Sequence, residues 1–202
     1  MLDIDKPDKL NELLSQSYAL HDHACPRQVI GVRAGVLASR LFGLELPQQN
    51  KRLFAFVETD GCFTDGVLVA TGCSLGKRTM RLVDYGKVAV TFVDTLSGKA
   101  VRVWPNPSAR ERAWKYAPDA VDSWHAQLEA YQVMPTCELL LFEQVELTVS
   151  MPELISQPGL RATCSICGEE IMNEREVLGS IEGQALCRHC AGVDSYYRAG
   201  SR

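Results

Sequence analysis

Two Cys-x-x-Cys pairs, Cys164/Cys167 and Cys187/Cys190, stand with nineteen residues between Cys167 and Cys187, the ligand arithmetic of a four-thiolate zinc module. A tetrahedral ion needs two such knuckles brought together by a hairpin, and Gly179-Ser-Ile-Glu-Gly183 supplies turn residues where the hairpin would bend. The rival assignment is a pair of disulfides in a secreted domain. Met1 to Lys9 has neither the basic region nor the apolar stretch of a signal peptide, and a reducing cytosol disfavours disulfides. The segment after Gln157 is too sparse in apolar residues for a core of its own, so a metal would supply the missing stability. Structural zinc on Cys164, Cys167, Cys187 and Cys190 is therefore expected.

A second group of ligand-type residues lies near the start of the chain. His21, His23 and Cys25 alternate at a helix end, where the backbone can unwind and aim three side chains inward. Imidazole with thiolate suits zinc or another late transition metal. Cys25 stands at the expected N-terminus of a second helix, whose dipole and free N–H groups favour a thiolate. The same thiol is thus a candidate nucleophile or redox group, with His21 or His23 as its base. Cys62 and Cys73 are either further ligands or small buried apolar residues. Asp60 and Asp65 either orient a histidine ligand or cap a helix. The segment Gly72 to Arg78 offers backbone N–H groups with Lys77 and Arg78 to an anion, although it lacks the spacing of a phosphate loop. Cys137 and His125 have no partner motif nearby and read as structural residues.

These side chains need a scaffold, and the chain of 202 residues is long enough for one substantial core and a small appendage. Apolar residues at Leu10, Leu13, Leu14, Tyr18 and Leu20 follow helical spacing between Asp8 and Ala24. Cys25-Pro26 reads as an N-cap and first helical position, opening a second helix through Val29, Ile30, Val32, Val36, Leu37 and Leu41. Gly31 and Gly35 leave a small face on it where another backbone can come close. Leu53 to Glu58 reads as a buried strand, and Val67 to Ala70 as part of a helix bracketed by Cys62 and Cys73. Met80 to Asp84, Val88 to Asp94 and Lys99 to Trp104 are β-branched runs divided by turn residues, which predicts a three-stranded meander. Helices over Pro107 to Tyr116 and Asp119 to Met134 and a last strand over Leu139 to Val149 complete the core. Pro152, Pro158 and Gly159 mark a linker, placing a core domain over 1–157 and a zinc finger over 158–202.

Charge narrows the function classes. The net charge is -4, and the segment after Gln157 holds five Arg against six Asp or Glu, so a non-specific grip on nucleic acid is disfavoured. No apolar run approaches the ~20 residues that cross a bilayer. A cytoplasmic protein without a membrane or nucleic-acid partner is expected.

The ordered motifs His21-Asp-His23-Ala-Cys25-Pro26, Asp60-Gly61-Cys62 with Asp65, Thr71-Gly-Cys73-Ser-Leu-Gly-Lys77 and Asp84-Tyr-Gly-Lys87 resemble the E-subunit family of formylmethanofuran dehydrogenase. The resemblance spans residues 15 to 149, and the appended module is similar to the treble-clef zinc finger that some members carry. The family usually shows Gly between the two histidines and Gly after the proline, where this chain has Asp22 and Arg27. The resemblance implies an α+β core, an antiparallel sheet flanked by helices, pairing into a homodimer, and a role near a molybdenum or tungsten oxidoreductase partner. The function expected is that of a metal-binding accessory protein, with a His/Cys core site and a zinc finger that docks to a partner. A thiol-dependent enzyme using Cys25 and a zinc-finger regulatory protein are the alternatives.

Overall fold

The computed structural model describes residues 7–155, 159–181, 183–193 and 195–198. The chain divides into two compact units, 1–151 and 152–202. The domain boundary expected between Gln157 and Pro158 lies outside the described residues.

Helix α1 spans Pro7–His21 and α2 spans Pro26–Phe42. Leu13 and Leu14 of α1 are buried, and Tyr18, one turn further on, packs against the same core. Helix α2 opens as its sequence demands, with Cys25 as N-cap and Pro26 at the first helical position. It ends at Gly43, whose φ of 62° the missing Cβ permits. Strand β1 (Leu53–Val57) leads into helix α3 (Cys62–Thr71), which returns the chain to β2 (Met80–Leu82). Strands β3 (Val90–Asp94) and β4 (Ala100–Pro105) follow, then helices α4 (Ala109–Tyr116), α5 (Ser123–Val133) and the short α6 (Thr136–Leu139). Strand β5 (Leu140–Val145) closes the sheet and α7 (Met151–Leu154) follows it.

The five strands lie in the order β2-β1-β3-β4-β5, and the unit is α+β. Every pairing is antiparallel except that of β1 with β2, where Ala55 faces Met80 in parallel register. The expected meander therefore holds for β3 and β4 but not for Met80 to Asp84. Helix α3 crosses back before β2 begins, so β2 runs in the same direction as β1 and flanks it on the side away from β3. The backbone N–H groups of Tyr85 and Lys87 donate to the Glu58 carbonyl at 3.0 and 3.1 Å, carrying the chain past the end of β1 to reach β3.

Alternation along β1 sends Leu53, Ala55 and Val57 to the helical core and Phe54 and Phe56 to a smaller cluster with Val93 and Ala100. Arg33 fastens α5 to α2. Its guanidinium donates to the Tyr131 carbonyl at 2.7 Å and to Thr136 Oγ1 at 3.0 Å, satisfying groups at the end of α5. No helix among the described residues is long and apolar enough to cross a membrane.

Helices α2 and α3 touch at Gly31 and Gly66. A Cβ on Gly31 would run into the Phe63 carbonyl oxygen and stand 3.0 Å from Val67 N; one on Gly66 would run into the Gln28 carbonyl oxygen and stand 2.9 Å from Val32 N. Since each obstacle is backbone, neither can swing aside. The pairing predicts that Gly66→Ala lowers stability by about 2 kcal/mol in denaturant titration; a cost under about 0.5 kcal/mol would show that the helices can separate freely.

In the second unit, β6 (Arg161–Thr163) pairs with β7 (Glu170–Met172) and β8 (Val177–Leu178) with β9 (Ala185–Leu186). The expected bend at Gly179 to Gly183 is the β8–β9 connection, Glu182 lying outside the described residues. Donation from Ser165 N to the Ala185 carbonyl, at 2.9 Å, joins the two hairpins.

Candidate metal centres

Three helix ends meet in the first unit: His21 closes α1, Cys25 caps α2 and Cys62 opens α3. Asp22, with φ of 62°, takes the left-handed conformation between the two histidines, a backbone that Asp tolerates better than most non-Gly residues. The turn brings the rings of His21 and His23 together, tilted by 47° with centroids 4.5 Å apart.

Both histidines have one ring nitrogen engaged. His21 Nδ1 stands 2.7 Å from Asp65 Oδ2, and His23 Nδ1 stands 3.1 Å from the His21 carbonyl oxygen. Each partner is an acceptor, so each Nδ1 carries the proton and each Nε2 keeps a lone pair for a metal. His21 Nε2 lies 2.9 Å from Cys62 Sγ. Ligand atoms of His21, His23 and Cys62 all fall within 4.8 Å of one another, which gives a group able to hold a metal ion. Asp65 thus orients a histidine, while Asp60 is exposed.

Cys62 is partly buried, and its pKa is pushed up first by burial and then by the neighbouring Cys25 thiol. A bound cation would reverse that penalty. Cys25 is close enough to act on Cys62, and its side chain makes no cap hydrogen bond to α2. Cys25 lies outside the group that His21, His23 and Cys62 form. Cys73 is elsewhere. It is fully buried at the opposite end of α3, ~15 Å along the helix from Cys62, with its thiol 3.3 Å from the Leu53 carbonyl oxygen. The structure therefore brings His21, His23 and Cys62 together, sets Cys25 beside them, and makes Cys73 part of the core. Lys77 and Arg78 follow Cys73 in a turn where Lys77 N donates to Ser74 Oγ, far from the histidines. Cys137 is exposed, and His125 is engaged by Asp122 at the start of α5.

The second unit gathers Cys164, Cys167, Cys187 and Cys190, with ligand atoms within 4.8 Å of one another. All eight cysteines of the chain are free thiols. Sγ of Cys167 and Sγ of Cys187 stand 4.0 Å apart, far beyond a disulfide bond and near the ~3.8 Å edge of a sulfur tetrahedron built on ~2.3 Å metal–sulfur bonds. The knuckles carry their own N–H donors. Cys187 N donates to Cys164 Sγ at 3.3 Å and Cys190 N to Cys187 Sγ at 3.4 Å. Gly168, with φ of 76°, closes the first knuckle by donating to the Cys164 carbonyl. The N–H groups of Cys167 and Cys187 bring the Cys164 thiol down to about 6, while the Cys187 thiol beside it pushes Cys190 up to about 12. Crowded sulfurs cannot all ionise without a cation among them.

Residues 20–152 match the protein family described as "FmdE, Molybdenum formylmethanofuran dehydrogenase operon". The chain belongs to this family. A protein of Archaeoglobus fulgidus named "Probable S-adenosyl-L-methionine-binding protein" is 32% identical over 217 residues, covering 96% of this chain and 56% of that protein. The chain thus spans about half the length of that curated relative. The crystal structure of a tungsten formylmethanofuran dehydrogenase FmdE-like protein from Syntrophus aciditrophicus has a TM-score of 0.59 at 20% identity, covering 93% of this chain and 95% of that one. At that identity the likeness is one of fold.

The FmdE match contains the whole His21, His23, Cys62 cluster, and the four-cysteine group lies beyond it. For that outer group the pH dependence has a definite sign. A thiol held below its ordinary range contributes stability that is complete above about 9 and is lost as pH falls through about 6. In the ion-free protein, alkylation of Cys164 by iodoacetamide is expected to hold its rate from pH 9 down to pH 7 and to fall as pH drops through about 6; a rate that already falls about tenfold between pH 9 and pH 7, as for an ordinary thiol, would contradict the assignment of Cys164.

Proposed function

We propose that this FmdE-family chain is a metal-binding accessory protein whose core holds a transition ion on His21, His23 and Cys62, with Cys25 as a further ligand. The convergence of those three side chains carries the reading, because each histidine has Nδ1 engaged by an acceptor and Nε2 left for an ion. A mixed imidazole–thiolate set suits zinc, and the ion would supply the positive charge that lets Cys62 ionise. Asp65 holds His21 in the required orientation. The four cysteines of the second unit form a treble-clef zinc finger that docks to a partner, and the chain works as a homodimer beside a molybdenum or tungsten formylmethanofuran dehydrogenase. The family description and the name of the Syntrophus protein support that setting.

The thiol-enzyme alternative gains less. The thiol facing an imidazole is Cys62 rather than Cys25, and its raised pKa keeps it protonated and a poor nucleophile without a cation. A separate reading rests on the Archaeoglobus relative, whose name attributes S-adenosyl-L-methionine binding to it. Calorimetric titration of the metal-loaded protein with that sulfonium compound tests whether this chain shares the property, and no heat of binding at millimolar ligand would exclude it.

Elemental analysis separates the two metal sites. The intact chain is expected to carry two metal equivalents, and a full-length Cys164→Ser/Cys167→Ser protein one. In that background, His21→Ala or Cys62→Ser should abolish the remaining equivalent, and Asp65→Ala should weaken it by about 10- to 100-fold. One full equivalent surviving Cys62→Ser would overturn the core assignment.

A further inference from the structure

The glycine contacts fix the register of α2 and α3 as well as their spacing. Gly31 meets Gly66, and one turn further on a Cβ on Gly35 would stand 2.6 Å from Ala70 Cβ and 2.9 Å from Thr71 Cγ2. A step of one turn along α2 is thus a step of one turn along α3. The helices run in the same direction, with their first turns side by side. One turn back from the Gly31 and Gly66 contact stand Arg27 on α2 and Cys62 on α3. Cys25, the N-cap of α2, is therefore level with the opening turn of α3, and its side chain reaches the Cys62 thiol.

Both residues are partly buried free thiols. Cys25 makes no side-chain cap bond, and Cys62 Sγ faces His21 Nε2 at 2.9 Å, an acceptor for a departing proton. Two cysteines can be bridged only where the backbone brings them close without rearrangement, and adjoining first turns of two helices in backbone contact do so. The other cysteines of the first unit stand elsewhere. Cys73 is buried at the opposite end of α3, and Cys137 lies on α6, which Arg33 holds two turns along α2 from Cys25.

We propose that Cys25 and Cys62 are a redox pair that closes into an intramolecular disulfide on meeting a hydroperoxide, and that closure expels the ion from the core site. One sulfur takes an oxygen atom from hydrogen peroxide: the S–O bond forms, the O–O bond breaks and a first water leaves. The second sulfur attacks the resulting sulfenic acid: the S–S bond forms, the S–O bond breaks and a second water leaves. Two thiols and one peroxide give one disulfide and two waters. The sulfurs lose two electrons, the peroxide gains them, and the thiol protons end in the waters. Thiolate is the ligand form of cysteine, so closure leaves the core ion only its two imidazoles. The expulsion step rests on the proposed core metal site; the pairing of the two thiols does not.

Hydrogen peroxide is the probe, added to zinc-loaded full-length protein in which Cys164 and Cys167 are replaced by Ser, so that the zinc released comes from the core. After quenching by alkylation, peptide mass mapping is expected to show Cys25 joined to Cys62. Zinc should reach a chromophoric indicator in step with that linkage, and dithiothreitol with fresh zinc should restore the starting state. Cys25→Ala should abolish the linkage and slow zinc release about 10-fold, while Cys137→Ser changes neither. Cys62 recovered as a sulfinic acid, or joined to a different cysteine, would overturn the pair while leaving the metal site standing. Zinc release at an unchanged rate in Cys25→Ala would do the same. A Cys25 to Cys62 linkage in protein that holds no zinc in its core would support the pair and remove both the metal site and the expulsion step.

Discussion

The close contact between Gly31 and Gly66 is the constraint on which the rest of the core depends. Two helices with ordinary side chains at their crossing keep axes 8–10 Å apart, and here backbone meets backbone because neither position has a Cβ. That approach fixes where α3 begins relative to α2, hence where Cys62 stands relative to Cys25. Helix α1 then lies against both, its Leu13 and Leu14 buried, and delivers His21 to the same corner. Core packing and ligand geometry are one problem here, because a shift of either helix would move a sulfur or an imidazole away from the others.

Electrostatics supplies the complementary half. The core corner concentrates two imidazoles, two thiols and one carboxylate where solvent is partly excluded, and burial raises the Cys62 pKa. The second unit does the same with four sulfurs, lowering Cys164 through backbone donors and raising Cys190 through a neighbouring thiol. Uncompensated, such arrangements are costly. A divalent cation would turn either group from a cluster of competing side chains into a set of ligands. The two differ in completeness: the outer group offers four sulfurs, as in closed structural sites, while the inner one offers three ligand atoms with Cys25 beside them.

Much of this was legible in the residues. Pro26 after Cys25 announced the start of α2, the Gly31 and Gly35 spacing announced a close helix contact, and the paired Cys-x-x-Cys motifs announced the second unit. What sequence could not rank was the membership of the core site. Cys62 and Cys73 sit symmetrically about α3, and only the fold shows that one end of that helix meets α1 while the other meets the buried carbonyl of Leu53. The placement of β2 was also hidden. Its residues have the β-branched composition of a meander strand, and composition does not record that α3 has already reversed the chain.

The central claim is that the ends of α1 and α3 bring imidazole nitrogen and thiolate sulfur onto one ion. X-ray absorption at the zinc edge, on zinc-loaded full-length protein with Cys164 and Cys167 replaced by Ser, reads that coordination directly. The account predicts nitrogen scatterers at ~2.0–2.1 Å together with sulfur at ~2.3 Å, the sulfur contribution diminishing in Cys62→Ser. A shell of oxygen and nitrogen alone, unchanged by that substitution, would contradict it.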